Sequence, residues 1–142
     1  MTVQTGFLIE LKNSPAELAT LCERLEGIGG TLGLSRRSIF EINLALDELF
    51  TNIVSYGYTD RAEHTVRVRI TAQGEVLTIE LEDDGIPFNP VARLTPELPE
   101  NLESCKVGGL GIHLVKNLMD DVGYRRCGGK NILTLKKTVE LT

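Results

Sequence analysis

The sequence predicts an α/β (α+β) two-layer sandwich, a mixed, mainly antiparallel sheet with helices on one face. Three observations carry that expectation. Residues 65–72 (TVRVRITA) and 76–82 (VLTIELE) alternate apolar and polar around a short QGE connection, the pattern of a β-hairpin. Ile42, Ala45, Leu46, Leu49 and Ile53 recur at helical spacing, so one face of a long helix is apolar. The segments follow one another as β-α-α-β-β-loop-α-β-β, an order that suits a sheet with one covered face.

The elements take their bounds from local chemistry. Residues Phe7 to Lys12 (FLIELK) alternate and form a first strand. Ser14 is placed to cap a helix, with Pro15 at its first position and Glu17 completing a capping box. Leu18, Leu21, Cys22 and Leu25 form its apolar stripe, and the glycines from Gly27 to Gly30 should end it. Ser35 starts a second helix, which Gly57 and the polar run YTDRAEH stop. From Asp84 to Gly109 no periodicity holds and Pro87, Pro90, Pro96 and Pro99 intervene, which marks a functional or mobile loop. A short helix runs from about Leu110 to Asp121, and strands at Tyr124–Cys127 and Ile132–Val139 meet at Gly128 and Gly129.

Composition narrows the function classes. A chain of 142 residues fits one domain, residues 1–142, with a substantial core. Its apolar runs fall far short of the roughly 20 residues that span a bilayer. The N-terminal MTVQTGFLIELKNSP has no basic flank or long apolar run, so no membrane association and a cytoplasmic location are expected. The net charge is −5 and no basic tract occurs, which disfavours nucleic acid as a partner. Cys22, Cys105 and Cys127 are too scattered for a disulfide framework or a CxxC metal site.

Three segments carry residues that their secondary structure does not require. In LDELFTNIVSYGY, Glu48 and Asn52 stand four apart on one helical face. An amide oxygen beside carboxylate-held water suits magnesium, although the spacing alone favours a solvated Glu–Asn pair. In IELEDDGIPFNP, Asp83 ends a strand before Gly85; a carboxylate only accepts hydrogen bonds, so it can take an amino proton from adenine and not the carbonyl of guanine. A plain Asp-Gly turn is the simpler alternative. In CKVGGLGIHLVKNLMDD, Gly108, Gly109 and Gly111 open a helix, where amides and the helix terminus favour an anion. That loop matches neither the Walker nor the Rossmann pattern, and a hinge remains the alternative. His64 and His113 are read as ordinary polar residues.

The order of these segments, an ExxxN helix, a DxG strand end, a proline-rich loop and GGLGI opening a helix, resembles the GHKL superfamily of ATP-binding domains with the Bergerat fold. Within it, the chain is most similar to the small stand-alone anti-sigma factor serine/threonine kinases of bacteria. The resemblance runs from about Ile42 to Leu135. It implies ATP and Mg2+ as cofactors, with Glu48 as general base or as holder of a metal-bound water, and Asn52 as the magnesium ligand. It implies Asp83 at the adenine amino group and Gly85 in the pocket wall. Gly108, Gly109 and Gly111, with the amides around Leu110 and Ile112, would cradle phosphate under a lid near residues 87 to 107. The implied partners are a STAS-type antagonist protein and a sigma factor, and a homodimer is plausible. The sequence departs from the family pattern at Pro87, where many relatives have a second glycine, at Tyr56, where these kinases often have His, and at Asn131, near a usual Gly-Thr turn. Two functions compete on these residues: a protein serine/threonine kinase, and an ATP-binding regulatory module without meaningful kinase activity. A detached histidine-kinase catalytic domain is the weaker third, since no helix pair bearing a phospho-acceptor His is evident.

Overall fold

A computed structural model describes residues 4–91 and 110–142, Leu110 by its backbone alone. Cys105, Gly108, Gly109 and the expected lid from residue 92 to 107 lie outside the described residues. The elements follow the expected order: β1 (Gln4–Lys12), α1 (Glu17–Leu32), α2 (Arg36–Tyr56), β2 (Thr65–Gln73), β3 (Val76–Asp83), α3 (Leu110–Leu118), β4 (Asp121–Cys127) and β5 (Lys130–Thr138). The five strands form one sheet in the order β1-β2-β3-β5-β4. All four pairings are antiparallel, as expected of a mainly antiparallel sheet.

Strand alternation decides which face the helices cover. Ile9 and Leu11 on β1, Val66, Val68 and Ile70 on β2, Leu77, Ile79 and Leu81 on β3 and Leu133 and Leu135 on β5 are buried. They meet Leu21, Leu25 and Ile28 of α1, Ile42, Leu46, Leu49, Phe50 and Ile53 of α2, and Ile112 and Val115 of α3. On the opposite face the same period brings charges together across strands. Arg67 reaches Glu10 at 3.2 Å and Glu82 at 3.5 Å, and Glu82 also meets Arg69 and Lys130, each at 3.4 Å. Partial burial pushes the Glu82 carboxyl up, but Lys130 and Arg69 outweigh it and hold the group below its ordinary value.

Three local expectations are corrected. Ser14 does not cap α1: Ala16 occupies the cap position without a side-chain bond. Backbone bonds from Glu17 N to the Ser14 carbonyl (3.0 Å) and Leu18 N to the Pro15 carbonyl (3.1 Å) start the helix instead. Nor do Gly27 to Gly30 end it, because Gly29 serves packing. A Cβ there would lie 2.6 Å from the Ile39 side chain, so the missing side chain lets α2 approach. The helix stops at Gly33, with φ +71°. Bonds from Leu34 N to Gly29 O (2.9 Å) and Gly33 N to Gly30 O (3.3 Å) close a Schellman motif. The last helix ends at Leu118, three residues before the expected Asp121. There the buried Lys137 donates to the Leu118 carbonyl at 2.7 Å, and β4 has already begun at Asp121. Ser35 does cap α2, accepting from Ser38 N at 3.1 Å.

Candidate functional site

The C-terminal half of α2, the end of β3, the start of α3 and the β4–β5 hairpin converge at one end of the sheet. At that end lies a cleft lined by Leu49, Asn52, Ile53, Gly57, Asp83, Phe88, Pro90, Tyr124, Asn131 and Leu133. Its walls are largely apolar, and Asn52, Asp83 and Asn131 supply convergent polar groups, the usual make-up of a small-molecule site.

Asn52 is 6% exposed, although its helix could have turned it to solvent. One turn earlier, the half-buried Glu48 lies against the start of α3. A Cβ built on Gly111 would overlap the Glu48 carboxylate, so Glu48 keeps this rotamer because residue 111 is glycine. The Ile112 side chain is buried in the core, which leaves only its amide to face a ligand. Leu110 is the first residue of α3.

Asp83 is the last residue of β3 and is 5% exposed. Its Oδ1 accepts from Gly85 N at 2.9 Å, closing the turn, and from Asn131 Nδ2 at 2.9 Å. Burial pushes the Asp83 carboxyl above its ordinary value; the Asn131 and Gly85 bonds hold it back, and the neighbouring Asp84 charge adds to the rise. Gly85 is confined from two sides. A Cβ there would collide with the Gly57 carbonyl, which Ile86 N already binds at 2.7 Å, and would stand 2.9 Å from Asp83 Oδ1.

Beside the cleft, His64 joins the α2–β2 connection to this turn. Its ring stacks on Tyr58 at 4.3 Å, its Nε2 lies 2.8 Å from Asp60 and its Nδ1 3.2 Å from Asp84. Hydrogen bonds to Asp60 and then Asp84 raise the His64 pKa. Burial works against Asp84, but its bonds from His64 and Tyr58 hold that carboxyl below the ordinary range.

Of the residues singled out by sequence, the structure brings Asn52 and Asp83 to one cleft, and Glu48 and Gly111 into contact one helical turn away. It adds Tyr124, Arg126 and Asn131, of which the sequence flagged only Asn131, as a departure. Arg126 Nη1 donates to Gly85 O at 2.8 Å and to Asn131 Oδ1 at 3.0 Å, and the Tyr124 hydroxyl donates to the same oxygen. One signal was available: Asn131 stands two and four residues before Leu133 and Leu135, on their inward face of the strand.

Asn52 and Glu48 put an amide and a carboxylate on one helix face, oxygen donors that would suit a hydrated magnesium ion. A profile of the histidine kinase-like ATPase domain matches residues 11–137, and the chain belongs to that family. Among its relatives, the serine/threonine-protein kinase BtrW of Bordetella bronchiseptica is 30% identical over 101 residues, 71% of each chain. The serine-protein kinase RsbW of Listeria monocytogenes is 27% identical over 139 residues, 95% of this chain and 88% of the relative. The crystal structure of the RsbU and RsbW domains of a Mycobacterium tuberculosis protein superposes with a TM-score of 0.67 at 18% identity, over 95% of this chain. This chain spans 32% of that longer one, and the likeness establishes the shared fold. ATP use and kinship with serine kinases follow at the level of the family.

Proposed function

We propose that the chain is an ATP-dependent protein serine/threonine kinase that phosphorylates a STAS-type antagonist protein and, as an anti-sigma factor, sequesters a sigma factor. The observation that carries this reading is the Glu48–Gly111 contact, which holds a carboxylate at the mouth of the helix expected to receive phosphate. Asp83 would accept a hydrogen bond from the adenine amino group, Asn52 would hold magnesium, and the amides from Gly108 to Ile112 would hold phosphate. Magnesium, when bound, offsets the charge of the phosphate oxygens. Glu48 accepts the proton of the substrate hydroxyl as its oxygen bonds to the γ-phosphorus, and the bond to the ADP oxygen breaks. No helix among the described residues is long and apolar enough to cross a membrane.

Radiolabelled ATP, magnesium and a candidate STAS partner test the proposal. Transfer to a Ser or Thr of the partner is expected, and Glu48→Gln should reduce it by roughly 10²–10⁴-fold while leaving ATP binding in place. Asn52→Ala should weaken magnesium-dependent ATP affinity far more than metal-free affinity, by calorimetry. Tight nucleotide binding with no transfer to any STAS protein would leave the regulatory module standing instead; Pro87, in place of a family glycine, favours that outcome.

A further inference from the structure

We infer that Asn131 is the positioning residue that aims Asp83 at a purine 6-amino group, an inference that rests on the assignment of Asp83 to base recognition. The strand register creates the arrangement. Gly128 and Gly129 both have positive φ, 58° and 76°, so a two-residue turn joins β4 to β5 without offset. Asn131 therefore sits directly across from Arg126 on one side and from Asp83 on the other. Three adjacent strands thus present one row: Arg126, Asn131, Asp83.

The neighbours of the Asn131 amide fix its orientation. Around Oδ1 stand only donors: the Tyr124 hydroxyl, Arg126 Nη1 at 3.0 Å and Phe88 N at 3.4 Å. Around Nδ2 stand only acceptors: Asp83 Oδ1 at 2.9 Å and the Ile86 carbonyl at 2.8 Å. A flipped amide would set its oxygen against two acceptors and its nitrogen against a guanidinium, so one orientation alone satisfies the groups.

The consequence falls on Asp83. Its Oδ1 already accepts from Asn131 and from Gly85 N, and among the described residues no donor reaches Oδ2. One carboxylate oxygen is thereby tied to the fold and the other is left for a ligand donor. Both Asp83 and Asn131 line the cleft. A carboxylate held in this way accepts a 6-amino proton and repels a 6-oxo group, and its fixed geometry sets how strongly the two bases are told apart. The amide donor at residue 131 is thus a specificity device, distinct from the metal and phosphate machinery.

The test compares ATP with inosine triphosphate, in which an oxo group replaces the purine 6-amino group and N1 carries a proton, by calorimetric titration with magnesium. Asn131→Asp, which places a carboxylate against Asp83 and the Ile86 carbonyl, should lower the ratio of the two affinities by roughly tenfold. Asn131→Leu, which removes the donor without adding charge, should move the ratio the same way and serves if the Asp variant does not fold. Phe50→Leu loosens the core away from the cleft and should leave the ratio unchanged, which separates recognition from general destabilisation. If Asp83→Asn collapses the ratio while both Asn131 variants preserve it, the inference is overturned and the assignment of Asp83 survives. If Asp83→Asn also preserves the ratio, base recognition by Asp83 itself is wrong and the inference goes with it.

Discussion

Replacing Gly111 by Ala separates what this glycine does for the fold from what it does for Glu48. The new Cβ would overlap the Glu48 carboxylate, the far end of a flexible, half-buried side chain. Glu48 can yield by leaving its rotamer, at about 0.5–1.5 kcal/mol. Alanine in place of glycine in a helix returns about 0.5–1 kcal/mol. The two nearly cancel, so stability should change by less than about 1 kcal/mol, a Tm shift of no more than ~5 °C for a chain of this size. Glu48, however, no longer stands where the proposed chemistry needs it, and phosphate transfer should fall by roughly 10²–10⁴-fold. Gly85→Ala provides the contrast. There the Cβ meets the Gly57 carbonyl, which cannot rotate away because Ile86 N binds it at 2.7 Å. Overpacking of about 1–3 kcal/mol and a damaged hydrogen bond of about 1 kcal/mol then add. Denaturant unfolding measures the stability difference, and radiolabelled transfer measures turnover. The reasoning is refuted if Gly111→Ala destabilises as much as Gly85→Ala, or if it transfers phosphate at the wild-type rate.

Two further outcomes are expected. Phe50 on α2 is fully buried in the core, so Phe50→Ala should cost about 3–5 kcal/mol in denaturant unfolding, and a loss below about 1 kcal/mol would mean that the core is packed elsewhere. The His64 pKa is raised in the folded state by Asp60 and Asp84, so its contribution to stability is fully present below the ordinary histidine value near ~6.5 and is lost as pH rises through the raised value. Unfolding midpoints of wild type should therefore decline as pH rises above about 6.5 along a limb that His64→Gln lacks, and identical slopes in the two proteins would remove this network from the pH dependence.

Much of the fold was legible because its signals are local. The 65–82 hairpin needs only alternation and a short turn, and β2 and β3 pair with Gln73 opposite Val76 accordingly. Helix α2 announces itself by its stripe and its Ser35 cap. The failures have one kind of cause: a residue whose local chemistry suggests one use was recruited by a distant neighbour. Gly29 reads as a helix stop but makes room for Ile39, and the true stop comes at Gly33. Ser14 reads as a cap, yet its carbonyl, and not its hydroxyl, engages Glu17. The last helix reads as continuing to Asp121, yet it stops at Leu118, whose carbonyl the distant Lys137 binds from β5.

The candidate site divides in the same way. Glu48 and Asn52 could be paired from helical spacing, and Asp83 and Gly85 from a turn two residues apart, where Gly85 N does bind Asp83 Oδ1. Asn131 could not be reached by such reasoning, because its link to Asp83 spans 48 positions and exists only through the β3–β5 register. A one-residue slip in that register would turn Asn131 to the opposite face and bring Ile132 or Lys130 to the row. The two positive-φ glycines at 128 and 129 guard against that slip, since a side chain at either would strain the turn that sets the strand offset. Orientation of the Asp83 carboxylate therefore depends on a turn that touches no ligand. Selection on nucleotide recognition would act on Gly128 and Gly129 as firmly as on the cleft residues themselves.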